Sequence, residues 1–321
     1  MKALISGISG QDGSYLAELL LKKGYEVHGI VRRVAIENQE HRLSRINHII
    51  NKIQLHYATL ENYASICQIV QKVKPDEFYH LAAMSFVAVS FEDYFSTLNS
   101  NVNGTLHVLS AIKEFAPKCK MYNAASSEMF GKVQETPQSE DTKFYPRSVY
   151  GISKVTSFDL VRNFREAYGL FACSGILFNH ESERRGLEFV TRKITNAVAR
   201  IKLGKQDKLY LGNIESKRDW GHSKDYVEAM YLMLQQENPN DFVISTSEVH
   251  SVTEFLEEAF SYVGLNWRQY VIVSDQFKRA SDVDLLVGDY SKAKRILGWE
   301  PKIKFKELVR IMVDSDLKYE Q

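Results

Sequence analysis

KALISGISGQDGSYLAELLLKK, residues 2–23, decides the fold of this 321-residue chain. The apolar run Lys2–Ser6 predicts a buried β-strand, and the spacing of leucines over Tyr15–Lys23 predicts an amphipathic helix. Three glycines with a spacing of three residues separate the two elements: Gly7, Gly10 and Gly13. Such glycines permit a tight turn and let a pyrophosphate approach the amides at the start of the helix. The stretch therefore predicts a dinucleotide-binding turn.

The first half of the chain repeats this alternation of short apolar strands and amphipathic helices. Further strands are predicted at Glu26–Val31, Ile53–Ala58, Phe78–Ala82 and Lys120–Ala124. Strands that alternate with helices are joined by right-handed crossovers and form a parallel sheet covered on both faces. The sequence therefore predicts an α/β fold with a doubly wound parallel sheet of Rossmann type.

After about residue 180 the alternation gives way to mixed segments. Their predicted strands and helices are Lys208–Leu211, Phe242–Ile244, Val190–Leu203, Val252–Val263 and Phe305–Lys318. We predict a nucleotide-binding domain over residues 1–178, with a return segment near 215–247. A smaller, partly interleaved C-terminal substrate domain is predicted over 179–321. A ligand is expected in the cleft between the two domains.

The composition excludes several classes of protein. Lys plus Arg number 41 and Asp plus Glu 40, so the net charge of +1 lacks the basic excess of a nucleic-acid or membrane-surface protein. Cys67, Cys119 and Cys173 form neither a disulfide framework nor a zinc motif, and they indicate a reducing compartment. The chain shows no secretory signal and no apolar run near the roughly 20 residues of a membrane span. We expect a cytoplasmic protein without metal.

Two arginines, Arg32 and Arg33, follow the second predicted strand. In dinucleotide-binding folds an acidic residue at this place binds the ribose hydroxyl of NAD, whereas an arginine suits the 2′-phosphate of NADP. The arginine pair therefore favours NADP as the cofactor.

A Tyr-x-x-x-Lys pair, Tyr150 and Lys154, lies on one face of a predicted helix. A neighbouring ammonium lowers the pKa of a phenol from its ordinary value near 10, which would let Tyr150 act as a base near neutral pH. Ser126 and Glu128 follow the fifth predicted strand, at the edge where parallel strands deliver residues to a cleft. A hydroxyl and a carboxylate there suit a hydrogen bond to substrate and a second proton transfer.

The chain resembles the GDP-mannose 4,6-dehydratase family, one of the extended short-chain dehydrogenase/reductases that act on nucleotide sugars. Besides the motifs above, the resemblance rests on the strings GQDGSYLAELLLKKGYEVHGIVRR, FGKVQETPQ, FYPRSVYG, NFREAYGLFACSGILFNHESERRG, FVTRKI, KRDWGHSKDYVEAM and DFVISTSEVHSV. It extends from Lys2 to about Lys318. It implies an NADP-dependent lyase that converts GDP-D-mannose to GDP-4-keto-6-deoxy-D-mannose by internal hydride transfer and loss of water.

The resemblance also implies roles for single residues. Tyr150 would accept the O4 proton of the sugar and Lys154 would stabilise the phenolate. Ser126 would donate a hydrogen bond to O4, and Glu128 would remove the C5 proton. The implied cofactor-binding residues are Gly7, Gly10, Gln11, Asp12, Gly13, Arg32, Leu60, Leu81, Tyr150, Lys154, His180 and Arg185. The implied substrate-binding residues are Ser85, Asn179, Lys193, Arg218 and Arg279.

Several positions depart from the family pattern around the sugar and the nucleotides. Ser126 replaces a threonine, Thr59 an aspartate that meets the adenine, and Met84 a glutamine beside the sugar. The segment 34–37, which follows the arginine pair, and the segment at Arg279 also differ. These departures leave GDP-manno-heptose open as the substrate.

Other functions stay open beside the dehydratase. A nucleotide-sugar epimerase of this fold usually lacks the glutamate found here as Glu128. A decarboxylase needs an arginine for the uronate carboxylate, and none can be placed from the sequence. A binding module that kept the fold would not need both Tyr150 and Lys154.

The resemblance further implies a homodimer or a homotetramer. In a dimer of this family, helices around Val102–Lys113 and Val149–Phe164 would form a four-helix bundle. The second helix carries an apolar stripe through Val155, Phe158 and Val161, which fits a partner helix or the protein's own sheet equally well.

Overall fold

The computed structural model describes residues 1–32, 42–274, 276 and 285–321. Its strands in chain order are β1 (Lys2–Ser6), β2 (Glu26–Val31), β3 (Ile53–Tyr57), β4 (Glu77–His80), β5 (Lys120–Ser126), β6 (Ala172–Leu177), β7 (Asn179–Glu181), β8 (Leu209–Leu211), β9 (Lys217–Arg218), β10 (Trp220–His222), β11 (Phe242–Ile244), β12 (His250–Ser251) and β13 (Val271–Val273). Its α-helices are α1 (Gln11–Lys22), α2 (Tyr63–Val73), α3 (Tyr94–Leu98), α4 (Gly104–Phe115), α5 (Val149–Tyr168), α6 (Val190–Lys202), α7 (Ser223–Leu234), α8 (Val252–Tyr262), α9 (Ser291–Leu297) and α10 (Phe305–Glu320).

Seven strands form one parallel sheet in the order β11–β6–β5–β4–β1–β2–β3. The chain starts in the middle at β1, moves outward to β3, and then returns to β4 and moves outward in the other direction. The strand order therefore reverses between β1 and β4, and open α/β sheets bind ligands beyond the carboxyl ends of the strands at such a point. The predicted doubly wound parallel sheet is confirmed.

Helices cover both faces of this sheet, which is why its strands are apolar along most of their length. On one face Leu16 and Leu20 of α1 lie in the same core as Met230 of α7. On the other face Val70 of α2 lies with Ile112 of α4. The sheet is thus the middle layer of three.

The apolar stripe of α5 belongs to this internal core. Phe158, Val161 and Phe164 are buried, and Val161 and Phe164 lie with the apolar residues of α2 and α4. The stripe therefore faces the protein's own sheet and helices, and a partner helix would have to use other residues of α5.

The second half of the chain builds a smaller unit beside the sheet. Its two-stranded pairs are β7–β10 and β8–β13, which are parallel, and β9–β12, which is antiparallel. Trp220, Phe255 and Phe305 form its core between α6, α8 and α10. β11 nevertheless belongs to the central sheet and α7 packs beside α1. A domain boundary at residue 178 stays a prediction.

The described ranges contain neither a candidate membrane-spanning helix nor a candidate metal cluster. No helix in them has both the length and the apolar composition that crossing a membrane requires. They also contain no group of three or more His, Cys, Asp or Glu side chains arranged to hold a metal ion.

Candidate active site

A cavity of about 760 Å³ lies beyond the carboxyl ends of the central strands and reaches into the smaller unit. Every predicted site residue within the described part of the chain lines this cavity, although these residues span positions 7 to 218. Arg279 lies outside the described residues, as do Arg33 and the segment 34–37. The fold thus gathers the predicted positions in one place.

The turn between β1 and α1 has room only for glycine at two positions. Gly7 has a φ of +77°, and a Cβ there would lie 2.9 Å from the backbone nitrogen of Ala82. A Cβ on Gly13 would collide with the carbonyl oxygen of Gly7. Gly10 is the N-cap of α1 and has no side chain to accept hydrogen bonds from the first amides of the helix. The first turn of α1 is therefore open to an anion in the cavity.

Asp12 puts a carboxylate in this first turn, and an uncompensated negative charge there would repel a phosphate. Oδ2 of Asp12 lies 2.8 Å from Nε2 of His180, and the hydroxyl of Ser223 donates to Oδ1 at 3.0 Å. Burial alone would lower the pKa of His180, but the Asp12 carboxylate outweighs it and raises the pKa. Nδ1 of His180 lies 2.8 Å from the carbonyl oxygen of Phe178, so both ring nitrogens face acceptors. The resulting ion pair compensates the charge of Asp12.

β5 and α5 bring the four predicted catalytic residues to one wall of the cavity. Ser126 ends β5, and its hydroxyl oxygen accepts from the backbone nitrogen of Glu128 at 3.2 Å. Tyr150 and Lys154 lie one turn apart on α5. The Lys154 ammonium donates to the carbonyl oxygen of Ala124 at 2.8 Å and lies 5.7 Å from the centre of the Tyr150 ring.

The prediction of a lowered pKa for the Tyr150 phenol is wrong for this geometry. Burial raises the pKa of Tyr150 to about 12, although a hydrogen bond with Ser126 acts in the opposite direction. Burial also lowers the pKa of the Lys154 ammonium to about 8. Burial outweighs the attraction expected from the Tyr-x-x-x-Lys spacing, because Lys154 is directed at the Ala124 carbonyl rather than at the phenol.

The predicted substrate-binding residues line other parts of the same cavity. Ser85 follows β4, and Asn179 begins β7. The Lys193 ammonium, on α6, donates to the carbonyl oxygen of Tyr210 at 2.7 Å. Arg218 on β9 is 7% exposed, which makes it a nearly buried cation at the cavity wall. Two cations in the lining of the cavity suit a doubly negative diphosphate.

The segment 179–185 contains a cavity residue that sequence reasoning missed. Glu181 is 2% exposed and lines the cavity beside Asn179. Its carboxylate pairs with Nε of Arg185 at 3.0 Å and accepts from the hydroxyl of Thr191 at 2.5 Å. The signal was available, since alternate residues of a short strand share one face and Glu181 lies two positions after Asn179.

Sequence reasoning also missed a pair of charged residues, Arg192 and Asp316, that is hydrogen-bonded to the backbone of this segment. Arg192 donates from Nε to both carboxylate oxygens of Asp316, at 2.8 and 2.9 Å, and from Nη1 to the carbonyl oxygens of Glu183 and Arg185. Asp316 is fully buried in α10. An aspartate on the apolar face of a helix was its only signal in the sequence.

A doubly wound parallel sheet, with a glycine turn and a Tyr-x-x-x-Lys pair lining one cavity, defines a protein of the extended short-chain dehydrogenase/reductase class. A family model described as GDP-mannose 4,6 dehydratase matches residues 4–312. The chain belongs to the GDP-mannose 4,6-dehydratase family, and the predicted family is confirmed.

Individual relatives agree with this assignment. GDP-mannose 4,6 dehydratase 2 of Arabidopsis thaliana is 53% identical, and the match covers 98% of this chain and 87% of the relative. GDP-mannose 4,6 dehydratase of Homo sapiens is 50% identical, with coverage of 98% and 91%.

Solved structures share the fold at lower identity. UDP-glucose 4-epimerase of Thermotoga maritima, with UDP-glucose, superposes with a TM-score of 0.88 over 100% of both chains at 24% identity. RMD of Pseudomonas aeruginosa, complexed with NADPH, has a TM-score of 0.83, 21% identity and coverage of 99% of both chains.

Proposed function

We propose that this protein is a lyase that converts GDP-D-mannose to GDP-4-keto-6-deoxy-D-mannose with loss of one water. The observation that carries the proposal is the single cavity that joins Glu128, Tyr150 and Lys154 to the glycine turn, in a chain of the dehydratase family. A carboxylate beside the Tyr-x-x-x-Lys pair supplies a second proton-transfer group, which a simple oxidation of an alcohol does not need.

The proposed cofactor is NADP, and the residues present fit it. Gly7 and Gly13 line a turn with no space for a side chain, and the first amides of α1 suit a pyrophosphate. Arg32 is exposed where the cavity meets the end of β2, a place that suits a 2′-phosphate. When bound, the cofactor supplies a hydride acceptor for C4 and a hydride donor for C6, so none is consumed in a turnover.

Tyr150 is the proposed base for the O4 proton, with Ser126 as hydrogen-bond donor to the same oxygen. The phenol has a pKa of about 12 and Lys154 a pKa of about 8, so at neutral pH both groups hold their protons. Deprotonation of Tyr150 therefore needs a closer cation. We infer that the Lys154 ammonium exchanges the Ala124 carbonyl for the phenolate oxygen as the proton leaves.

Glu128 is the proposed base and acid of the elimination. A C4 ketone acidifies the C5–H bond, and the Glu128 carboxylate takes that proton. The electron pair forms the C5–C6 double bond, the C6–O bond breaks, and the proton held by Glu128 joins the departing hydroxyl as water. Asn179, Lys193 and Arg218 are proposed to hold the diphosphate, and Ser85 the sugar.

Mass spectrometry of the reaction with GDP-mannose and catalytic NADP tests this function. We expect a product lighter by one water and no net NADPH. Glu128→Gln should form NADPH in a single turnover without losing water, and Tyr150→Phe should do neither. Glu166→Gln, an exposed position on α5, is the matched control and should behave as the wild type. Unchanged GDP-mannose beside dehydrated GDP-manno-heptose would replace the proposed sugar, and no dehydration of either would refute the function.

We propose further that the protein is a homodimer formed through α3 and α5. The exposed side of α3 is largely apolar, since Phe95 is 84% exposed and Tyr94 and Leu98 are 50% and 37% exposed. Ile152, in the first turn of the adjacent helix α5, is 46% exposed. Neighbouring exposed apolar side chains of this size mark a protein interface. Light scattering should give twice the chain mass for the wild type and a lower mass for Phe95→Asp. A wild-type monomer would contradict the dimer.

A further inference from the structure

A chain of buried hydrogen bonds joins the glycine turn to the helix that carries Tyr150 and Lys154. It runs from Ser6, at the end of β1, through His80, at the end of β4, to Thr105 on α4. The hydroxyl of Ser6 lies 2.9 Å from Nδ1 of His80, and Nε2 of His80 lies 3.2 Å from the hydroxyl of Thr105. Thr105 then donates to the carbonyl oxygen of Asn101 at 2.7 Å. We call these four residues the His80 chain.

The direction of each proton in the His80 chain follows from its partners. The Ser6 oxygen accepts from the backbone nitrogens of Leu81 and Ala82, at 3.2 and 3.3 Å, so its own proton is free to be donated to Nδ1 of His80. The ring therefore carries its proton on Nε2 and donates it to Thr105. Every donor in the chain has an acceptor only when His80 is neutral and in this tautomer.

Burial strengthens this conclusion. Ser6 is fully buried, and His80, Thr105 and Asn101 are 4%, 2% and 2% exposed. Burial and the Lys154 ammonium lower the pKa of His80 to about 3. Burial thus acts in the same direction as the hydrogen bonds, because both favour the neutral imidazole.

Asn101 connects the chain to the catalytic wall. It lies in a short π-helical turn, Asn99–Asn103, immediately before α4. Its side-chain nitrogen donates to the hydroxyl oxygen of Ser153 at 2.9 Å, and that hydroxyl donates to the carbonyl oxygen of Tyr150 at 2.7 Å. Its side-chain oxygen accepts from the backbone nitrogen of Met84 at 2.8 Å. One amide thus holds both the first turn of α5 and the loop that carries Ser85.

We propose that His80 is a positioning residue which, through Thr105 and Asn101, fixes the Tyr150–Lys154 turn and the Ser85 loop relative to the glycine turn. The kinetic test of this inference rests on the proposed function, because it measures turnover of GDP-mannose. The inference assigns a role to buried polar residues that are not part of the cavity lining. A displacement near 1 Å at a catalytic centre can cost on the order of 100-fold in rate, so these residues would act on turnover more than on binding.

Thr105→Val tests the proposal, because valine keeps the shape and removes the hydroxyl that joins His80 to Asn101. The hydroxyl of Ser157 also donates to the Asn101 carbonyl, at 3.0 Å, so that acceptor keeps one partner in the variant. We expect kcat to fall on the order of tenfold to 100-fold, with the Kd for NADP within about twofold of wild type. Thr105→Ser restores the hydroxyl and should recover most of kcat. Thr97→Val is the matched control, since Thr97 is also fully buried and donates to the carbonyl of the residue four positions earlier, Asp93. It should keep wild-type kcat.

A pair of His80 variants locates the important end of the chain. Gln can place a donor near the position of Nε2 and reach Thr105, whereas Asn can only face Ser6. We expect His80→Gln to keep clearly more kcat than His80→Asn. Wild-type kcat in Thr105→Val, or an equal loss in Thr97→Val, would overturn the proposal. If His80→Asn does not fold, the Thr105 series decides alone.

Nitrogen-15 NMR of histidine-labelled protein tests the geometry without any substrate. His80 should stay neutral with its proton on Nε2 from about pH 5 to about pH 8. The other tautomer, or a charged ring in that range, would overturn the inference even if the dehydratase function holds. An inactive wild type with the expected His80 signal would refute the function and leave the geometry of the chain standing.

Discussion

Gly7 and Gly24 offer a matched pair of substitutions that separates backbone strain from crowding in the glycine turn. Gly7 has φ +77° and Gly24 φ +80°, so alanine at either position suffers nearly the same conformational penalty. That penalty is about 1–2 kcal/mol for a residue with a Cβ. The gain from a less flexible unfolded chain is also common to both and cancels in the comparison.

Only the surroundings of the added methyl group differ. At Gly24 nothing lies within 4 Å of it, whereas at Gly7 it would be 2.9 Å from the Ala82 nitrogen and 3.0 Å from the Ala82 Cα. These are backbone atoms, which cannot rotate away as a side chain can. Overpacking of this kind costs about 1–3 kcal/mol. We therefore expect Gly7→Ala to lose about 1–3 kcal/mol more free energy of unfolding than Gly24→Ala.

Urea denaturation of both variants measures that difference, and calorimetric titration with NADP measures its functional side. Gly7→Ala should weaken NADP binding, because relief of the contact moves β1 and β4 apart at the cavity. Gly24→Ala lies in the turn after α1 and should bind NADP as the wild type does. Equal losses of stability in the two variants, or normal NADP binding by Gly7→Ala, would refute the reasoning.

Three further predictions concern stability. Asp316→Ala removes the only carboxylate described beside the largely buried Arg192 guanidinium and should cost about 3 kcal/mol in urea denaturation. Asp314→Ala on the same helix should cost less than about 1 kcal/mol, and similar losses in the two variants would contradict the role of the Arg192–Asp316 pair. Ser251→Ala removes the capping box of α8 and should cost about 1 kcal/mol by the same measurement, so an unchanged midpoint would speak against the cap. Burial raises the pKa of Asp219 to about 6, so the folded state holds this proton more tightly than the unfolded state. The stabilisation from this proton is complete below the unfolded pKa near 4 and is lost as the pH rises through about 6. Between about pH 5 and about pH 8, the free energy of unfolding of the wild type should therefore fall by about 1 kcal/mol more than that of Asp219→Asn. Parallel pH curves for the two proteins would contradict the raised pKa.

The parts of the fold that the sequence predicted are those with local signals. β1 and β2 begin and end at the predicted residues, because an apolar run bounded by glycine or charge marks a buried strand. α1 is an instructive difference. It begins at Gln11 rather than at Tyr15, and Gly13 already lies within the helix. Three closely spaced glycines predict a turn, and the sequence does not show the close backbone contact that keeps Gly13 free of a side chain inside the helix.

The parts that could not be predicted depend on contacts between distant positions. Asp316 and Arg192 are 124 residues apart, and no local pattern pairs them. The prediction for the pKa of Tyr150 was wrong for a related reason. The spacing between Tyr150 and Lys154 correctly predicted that the two side chains are neighbours. The direction of the pKa shift, however, depends on how deeply the phenol is buried and where the ammonium points. Both are tertiary properties.

The segment 179–185 explains how the cofactor side and the substrate side of the cavity keep one geometry. Ser182 donates to the side-chain oxygen of Gln11 at 2.8 Å, and Arg184 pairs with Glu18 at 2.6 Å, so the segment is fastened to α1. Arg192 fastens the same segment to the smaller unit through the carbonyl oxygens of residues 183 and 185. A reaction that removes a hydride from one carbon of a sugar and returns it to another needs the sugar and the cofactor to stay in register throughout the turnover. A segment that is hydrogen-bonded to both units meets that need, because it holds the sugar side and the cofactor side of the cavity in one relative position for both hydride transfers.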